Sequence, residues 1–142
     1  MNLQEIDLKN LKPDIFSDIA KNAAEFIKPR AVYDERQRRE VIRNRDANKS
    51  TQLRKLYDEL AMWDDKIHRQ LGEEKQKEEY EKSAPFIHML KAKVAYAKGR
   101  EHVNEDFLNL FNHMIGQIDS PKTLRHAKLF FEAVIAFRKA SE

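Results

Sequence analysis

Apolar residues spaced three or four positions apart recur along most of this chain of 142 residues. Between Pro13 and Pro29 the stripe consists of Ile15, Phe16, Ile19, Ala20, Ala23, Phe26 and Ile27. This spacing places them on one face of an amphipathic α-helix, which Pro29 ends. With only 3 Gly and 4 Pro, the chain has few of the turn residues that sheets need. The sequence therefore predicts an all-α fold.

Capping residues divide the rest of the chain into four further helices. The apolar spacing predicts one helix over about residues 50–71. Gly72 and the acidic run after it are expected to form a break or a solvated continuation. Ser83 is expected to start the next helix as its N-cap, and Gly99 to stop it. The last two helices are expected to start at Asn104 and at Ser120-Pro121.

These elements predict one domain, residues 1–142, built as a single compact bundle of about five or six helices. The last helix is apolar over more than half its circumference, so we expect it near the centre of the bundle. The Arg-rich residues 28–48 are expected to form a less ordered arm or a basic helix. The core bundle is expected to span about residues 49–140.

Composition excludes several kinds of site. The chain has no Cys, which excludes disulfides and Cys-ligated metal or redox centres. Its 5 His are scattered, and no glycine-rich phosphate loop, metalloprotease motif or serine-hydrolase motif is present. We therefore expect no catalytic residue, no metal, no cofactor and no enzymatic activity. The polar start MNLQEIDLKN and the lack of a long apolar run predict no secretory leader and no membrane contact, hence a cytoplasmic protein.

Positive charge is concentrated in two blocks, although the net charge is only +3. Residues 28–55 carry ten basic and four acidic side chains. Residues 83–100 carry four basic side chains and no acidic one, and the segment between the two blocks is acidic. Concentrated positive charge can neutralise phosphates even when the total charge is small.

The start of the helix predicted from residue 50 has the side chains of a phosphate site. Unpaired N–H groups and the helix dipole attract anions there. The candidate ligands around this terminus are Lys49, Thr51, Gln52, Arg54 and Lys55. The alternative is an ordinary solvated helix start. In that alternative Ser50 or Thr51 caps the helix, and Arg54 and Lys55 pair with Asp58 and Glu59 four residues on.

The helix predicted over residues 83–100 has a second candidate surface. Lys93, Tyr96 and Arg100 follow one another at helical spacing, with Lys91 and Lys98 alongside. An aromatic ring between cations can stack on a base or ribose while the cations hold phosphates. Alternatively, Tyr96 packs at the edge of the core and the lysines only keep the protein soluble. Two such surfaces in one small domain favour RNA or another polyanion as the ligand.

A protein ligand is the alternative at the level of function. In it the chain is a helical protein–protein interaction module, a homodimer or a scaffold, whose basic faces meet acidic partners.

Three segments, TQLRKLYDEL, KAKVAYAKGR and FFEAVIAFRK, occur in that order. Together they resemble the small α-helical subunit of the Csm-type (type III-A) CRISPR effector complex. The family pattern matches residues 51–55, 91–100 and 131–137, and the resemblance covers about residues 48–140. The last segment consists mostly of core positions, so its match reports the fold. Residues 1–47 carry no motif of the family.

The resemblance implies a non-catalytic structural subunit. Copies of the family's small subunit stack into a filament beside the backbone subunits that carry the guide RNA. Their basic residues contact the RNA backbone in the groove where target RNA pairs with the guide. RNA cleavage belongs to the backbone subunits; DNA cleavage and cyclic oligoadenylate synthesis belong to the large subunit. The polar positions of this chain that match the family pattern are Gln52, Arg54, Lys55, Lys91, Lys93 and Arg100.

The partners implied for this chain are guide RNA, target RNA, other copies of itself, and the backbone and large subunits. Because the last helix is very apolar, a homodimer of the isolated chain is also compatible with the sequence.

Overall fold

The structure is a computed structural model that describes residues 1–142. After a 3₁₀ turn at Leu3–Glu5, a π-helical turn at Ile15–Ile19 leads directly into helix α1 (Ala20–Phe26). A hairpin of strands β1 (Ala31–Asp34) and β2 (Arg39–Ile42) follows. The remaining helices are α2 (Ser50–His68), α3 (Glu73–His88), α4 (Leu90–Gly99), α5 (Glu105–Gly116) and α6 (Pro121–Ala140). The predicted helical bundle is confirmed, and the small hairpin is its one sheet.

Helix α6 lies at the centre of the bundle, as its apolar sequence predicts. It packs against α1, α2 and α3. Among its fully buried side chains are Leu124, Ala127, Phe130, Phe131 and Val134. The Phe131 ring lies 6.1 Å from that of Tyr57 on α2 and 5.6 Å from that of Phe111 on α5, measured between centroids. Each large apolar side chain buried in this way stabilises the fold by about 1.5–3 kcal/mol.

The helix starts predicted at Asn104 and Ser120 are confirmed. Asn104 Oδ1 accepts a hydrogen bond from the Phe107 N–H at 3.1 Å. Ser120 and Thr123 form a reciprocal capping box, in which Ser120 Oγ accepts from the Thr123 N–H at 3.1 Å. Gly99 ends α4, also as predicted. Each of these caps is a contact between residues three positions apart, which is why the sequence indicates them.

The prediction of an arm or a basic helix for residues 28–48 is wrong, because this segment contains the hairpin. Its strands pair antiparallel, with Val32 opposite Val41. Such β-branched residues favour an extended backbone. The Asp34 carboxylate closes the turn by accepting the backbone N–H of Arg36 at 2.8 Å. The segment has too few apolar residues at helical spacing to hold a helix against the bundle.

The helix start predicted at Ser83 is also wrong, because α3 runs straight through this residue. Ser83 is buried and shares one stripe of α3 with Tyr80 and Ile87, at spacing i, i+3, i+7. Packing of this stripe carries the helix across the exposed Pro85. The helix breaks instead at Met89, whose N–H donates to the Pro85 carbonyl at 3.0 Å.

Asn48 joins four parts of the chain in the interior. It is fully buried and adopts a left-handed backbone with φ of 60°. Its side-chain Nδ2 donates to the Ile27 carbonyl at 2.6 Å and to Asn104 Oδ1 at 2.8 Å, while its Oδ1 accepts from the Asn104 N–H. Its backbone N–H donates to the His102 carbonyl at 3.0 Å, and its carbonyl accepts from Arg138 Nε at 2.9 Å. The end of α1, the start of α2, the α4–α5 loop and α6 are thereby tied together.

We predict that Asn48→Ala lowers the free energy of unfolding by about 3 kcal/mol or more. It leaves the buried Ile27 carbonyl and Asn104 N–H without partners and places Ala at positive φ. Asn48→Gly loses the same side-chain bonds but tolerates this backbone, so it should be about 1 kcal/mol less destabilised. Urea unfolding followed by circular dichroism measures both variants. Wild-type stability of Asn48→Ala would contradict the role given to this residue.

Candidate nucleic-acid interface

Helices α2 and α4 lie side by side and run antiparallel. At the start of α2, the Asn48 N–H donates to the carbonyl of His102, just beyond the end of α4. Further along, Glu59 on α2 forms an ion pair with Lys93 on α4. These two links bracket the first half of α2 and most of α4. The two basic blocks of the sequence are therefore neighbours in space.

Between the links, each helix presents one stripe of polar side chains. The two stripes, each spaced i, i+3, i+7, are Gln52, Lys55 and Glu59 on α2, and Lys93, Tyr96 and Arg100 on α4. Because the helices are antiparallel and Glu59 meets Lys93, the register places Lys55 across from Tyr96. The same register places Gln52 across from Arg100. We call these six residues the α2–α4 surface.

Two cations of the α2–α4 surface have no carboxylate partner. Neither Lys55 nor Arg100 forms an ion pair, since Glu59 pairs with Lys93 instead. The Arg100 guanidinium lies 5.9 Å from the centroid of the Tyr96 ring and donates to its hydroxyl at 3.2 Å. The Tyr96 ring is 67% exposed. The alternatives in which Lys55 pairs with Glu59 and Tyr96 packs at the core edge are therefore wrong.

Thr51 and Arg54 lie on the other side of α2, toward α6. They line a groove of about 630 Å³ together with Glu132 and Lys139. Arg54 lies 3.7 Å from Asp58, so the ion pair of the solvated-start alternative is present. The two side chains are 64% and 68% exposed, and such a surface pair contributes less than about 1 kcal/mol. It leaves Arg54 available to an anionic ligand.

Tyr57 and Glu132 join α2 to α6 beneath this groove. The Tyr57 hydroxyl donates a hydrogen bond to the Glu132 carboxylate. Burial raises the pKa of Tyr57 well above its ordinary value of 10, and the bond to Glu132 raises it further. The same hydrogen bond lowers the pKa of Glu132 below 4.5. The Glu132 carboxylate that lines the groove is thus held by a neutral phenol.

Lys91 and Lys98 face α5, away from the α2–α4 surface. The Lys91 ammonium lies beside Gly116 at the end of α5, where the helix dipole favours a cation. Lys98 forms an ion pair with Glu105 at 3.0 Å. The structure therefore separates Lys91 from Lys93 and Arg100, which the sequence had grouped with it.

The N-terminus of α2 already holds a carboxylate. The Ser50 N–H and Oγ donate to the two carboxylate oxygens of Glu142 at 2.6 and 2.9 Å. Lys49 occupies the N-cap position but makes no capping bond. Burial acts to raise the pKa of Glu142, but the bonds from Ser50 outweigh it and hold the pKa below 4.5. A phosphate at this terminus would have to compete with Glu142.

The family model described as Csm2 Type III-A matches residues 36–142. The chain belongs to this family. It is thus a small helical subunit of a type III-A CRISPR Csm complex, as the three sequence motifs had implied. The match begins inside the hairpin turn, so it includes β2, which those motifs did not reach. Comparison with curated proteins and with solved structures gave no match.

Three residues of this Csm2-family chain gained a role that the sequence did not show. Glu59 neutralises Lys93 on a different helix, and Glu142 occupies the α2 terminus. Arg138 is 4% exposed and binds the Asn48 carbonyl, so it supports the fold. Such contacts join residues far apart in the chain, and residue spacing carries no signal for them.

No helix of this chain combines the length and the apolar character that crossing a membrane requires.

We predict that the stability of the Glu142→Gln variant falls less steeply than that of wild type as the pH is lowered into the acid range. Because the folded pKa of Glu142 is lowered, its carboxylate stabilises the fold above 4.5, and that contribution is lost as the pH falls through the folded pKa. The variant should melt at a lower temperature than wild type near neutral pH, and the difference should shrink in acid. Glu78→Gln, at an exposed position without an ion pair, is the matched control. Parallel curves for wild type and Glu142→Gln would contradict this assignment.

Proposed function

We propose that this subunit binds RNA through the α2–α4 surface and has no catalytic role. The observation that carries the proposal is that the two basic blocks lie side by side. On the α2–α4 surface they form, the exposed Tyr96 lies between Lys55 and Arg100, which have no ion-pair partner. The same cations match the polar positions of the family motifs. Membership of the Csm2 family supports a place in the type III-A complex, in which guide and target RNA are present.

The side chains of the α2–α4 surface are suited to binding the RNA backbone rather than the edges of the bases. Lys and Arg neutralise phosphates and release counterions, which gives affinity without sequence preference. The Tyr96 ring offers a face on which any base or ribose can stack. Base pairing between guide and target then supplies specificity, and the subunit holds the duplex through its backbone.

We further propose that copies of the subunit stack into a filament beside the backbone and large subunits. One α2–α4 surface offers only a few phosphate contacts. Several copies joined along one duplex would add their contacts with a high effective concentration. Binding by the isolated subunit is therefore expected to be much weaker than binding in the complex.

Internal pairing of the one buried carboxylate supports a non-catalytic role. Asp64 is 4% exposed and accepts from Arg125 at 3.2 Å, with His68 Nδ1 at 3.1 Å from its other oxygen. A carboxylate that serves as general acid or base must be able to reach the substrate proton, and both oxygens of Asp64 are engaged by side chains of its own chain. Asp64 instead forms a structural ion pair between α2 and α6.

We predict that the double variant Lys55→Gln, Arg100→Gln binds RNA roughly tenfold more weakly than wild type does. Because two phosphate contacts are lost, the slope of log affinity against log salt concentration should become less steep by about 1.5. Glu59→Gln should act in the opposite direction, since it removes a negative charge from the α2–α4 surface and frees Lys93. Fluorescence anisotropy measures both, with labelled single-stranded RNA and with a labelled guide–target duplex. The isolated chain and the assembled complex are compared over a range of salt concentrations.

The matched control is Lys75→Gln with Lys82→Gln, which removes two exposed, unpaired lysines from α3. It is expected to bind as wild type does, and all variants are expected to keep wild-type melting. Equal affinity of the control and of the Lys55 and Arg100 variant would refute the assignment of the surface.

A protein-contact role is the second candidate, and an exposed apolar patch favours it. Phe86 is 53% exposed and stacks on Trp63 at 5.8 Å, with Met62 and Met89 also about half exposed. Contiguous exposed apolar side chains of this kind mark protein contacts. Cross-linking of the complex with and without RNA separates the two candidates. If the α2–α4 surface cross-links to protein in both samples and never to RNA, the protein-contact role is favoured.

A further inference from the structure

The hairpin of β1 and β2, with Arg45 just after it, carries four of the six arginines of the chain that have no carboxylate partner. Ion pairs hold Arg30 to Asp106 at 2.6 Å and Arg43 to Asp34 at 3.3 Å. Four other arginines in and after the hairpin form no ion pair and are exposed: Arg36, Arg38, Arg39 and Arg45. Arg39 Nε donates to Gln37 Oε1 at 2.8 Å, and the remaining N–H groups of the four side chains are available to a ligand.

The hairpin also carries three acidic residues, Asp34, Glu35 and Glu40, and none of them forms an ion pair with Arg36, Arg38 or Arg39. The Asp34 carboxylate is fully engaged, since it accepts from two backbone N–H groups of the turn and from Arg43. Glu40 follows Arg39 in β2, so its side chain points to the opposite face of the hairpin. On that face Glu40 lies across from Tyr33, which is 62% exposed. On the face of Arg39, this residue lies across from Asp34, while Arg36 and Arg38 lie in the turn between the strands. The opposite face presents the aromatic ring.

The base of the hairpin is fixed beside the α2–α4 surface. Asn44 Nδ2 donates to the carbonyl of Glu101 at 2.8 Å, and Glu101 directly follows Arg100. Arg30, before β1, pairs with Asp106 on α5. The two ends of the hairpin are therefore anchored to the α4–α5 loop and to α5. A strand of RNA that crosses the α2–α4 surface and leaves past Arg100 meets the hairpin next.

We propose that this hairpin is a second contact for the RNA backbone, which extends the α2–α4 surface beyond Arg100. The proposal rests on the proposed function, because the same RNA must occupy both elements. A guanidinium fork binds phosphate through two parallel hydrogen bonds, and the exposed Tyr33 ring supplies a face for stacking. The ligand is thus RNA phosphate, and an acidic protein loop is the competing outcome of the test.

The test uses the triple variant Arg36→Gln, Arg38→Gln, Arg39→Gln. Its binding to labelled single-stranded RNA is measured by fluorescence anisotropy, both for the isolated subunit and for the subunit within the assembled complex. Loss of about three phosphate contacts should weaken binding roughly tenfold or more and lower the salt slope by about 2. The matched control is Glu35→Gln with Glu40→Gln, which changes the same hairpin but removes negative charge. It should bind RNA as tightly as wild type or more tightly.

A charge-preserving variant, Arg36→Lys, Arg38→Lys, Arg39→Lys, separates the effect of lost charge on RNA affinity from the effect of a misfolded hairpin. Its affinity is expected to lie between those of wild type and of the Gln variant, because it keeps the charge and loses the forks. Equal loss of affinity in the Lys and Gln variants would overturn the proposal.

The outcomes also separate this proposal from the proposed function. If the hairpin variant binds RNA as wild type does while the Lys55 and Arg100 variant is weakened, the hairpin proposal fails and the proposed function stands. If both bind as wild type does, both fail. If the hairpin variant keeps RNA affinity but no longer assembles with the other subunits, the hairpin binds an acidic protein partner and the RNA proposal is overturned.

Discussion

The hydrogen bonds of Asn48 determine where the proposed RNA-binding surface of this protein lies. A buried amide that satisfies the carbonyl of Ile27 and the N–H of Asn104 leaves little freedom for the chain around it. Its own backbone N–H holds His102, which brings the end of α4 to the start of α2. The α2–α4 surface and the base of the hairpin both depend on this junction. A single polar residue of the core thus positions the proposed RNA-binding surface.

Much of the fold follows from local signals in the sequence. The apolar stripes predict the helices, and the caps at Asn104 and Ser120 define two of their starts because each bond spans only three residues. The two failures have the same kind of cause. Tertiary packing of Tyr80 and Ile87 overrides the helix-start signal of Ser83. In the Arg-rich segment, cross-strand pairing of β-branched residues prevails over the weak helical periodicity of its sequence.

The candidate site was predictable in its residue types but not in its geometry. Helical spacing grouped Lys93, Tyr96 and Arg100, and the helix start predicted at residue 50 gave Lys55; the family motifs match both groups. Their arrangement beside α2 depends on the antiparallel packing of two helices, and spacing within one helix contains no information about it. The partner of Glu59 and the carboxylate at the α2 terminus were unpredictable for the same reason. Charge alone could not separate the surface-forming Lys93 from Lys91, which faces α5.

The central claim is that RNA phosphates lie on the α2–α4 surface. The most direct measurement is a structure of the assembled type III-A complex with guide and target RNA bound. The account predicts phosphate oxygens within hydrogen-bond distance, about 2.7–3.2 Å, of Lys55 Nζ and of the Arg100 guanidinium. A complex in which this surface is covered by another protein subunit, or faces solvent while RNA runs elsewhere, would contradict it.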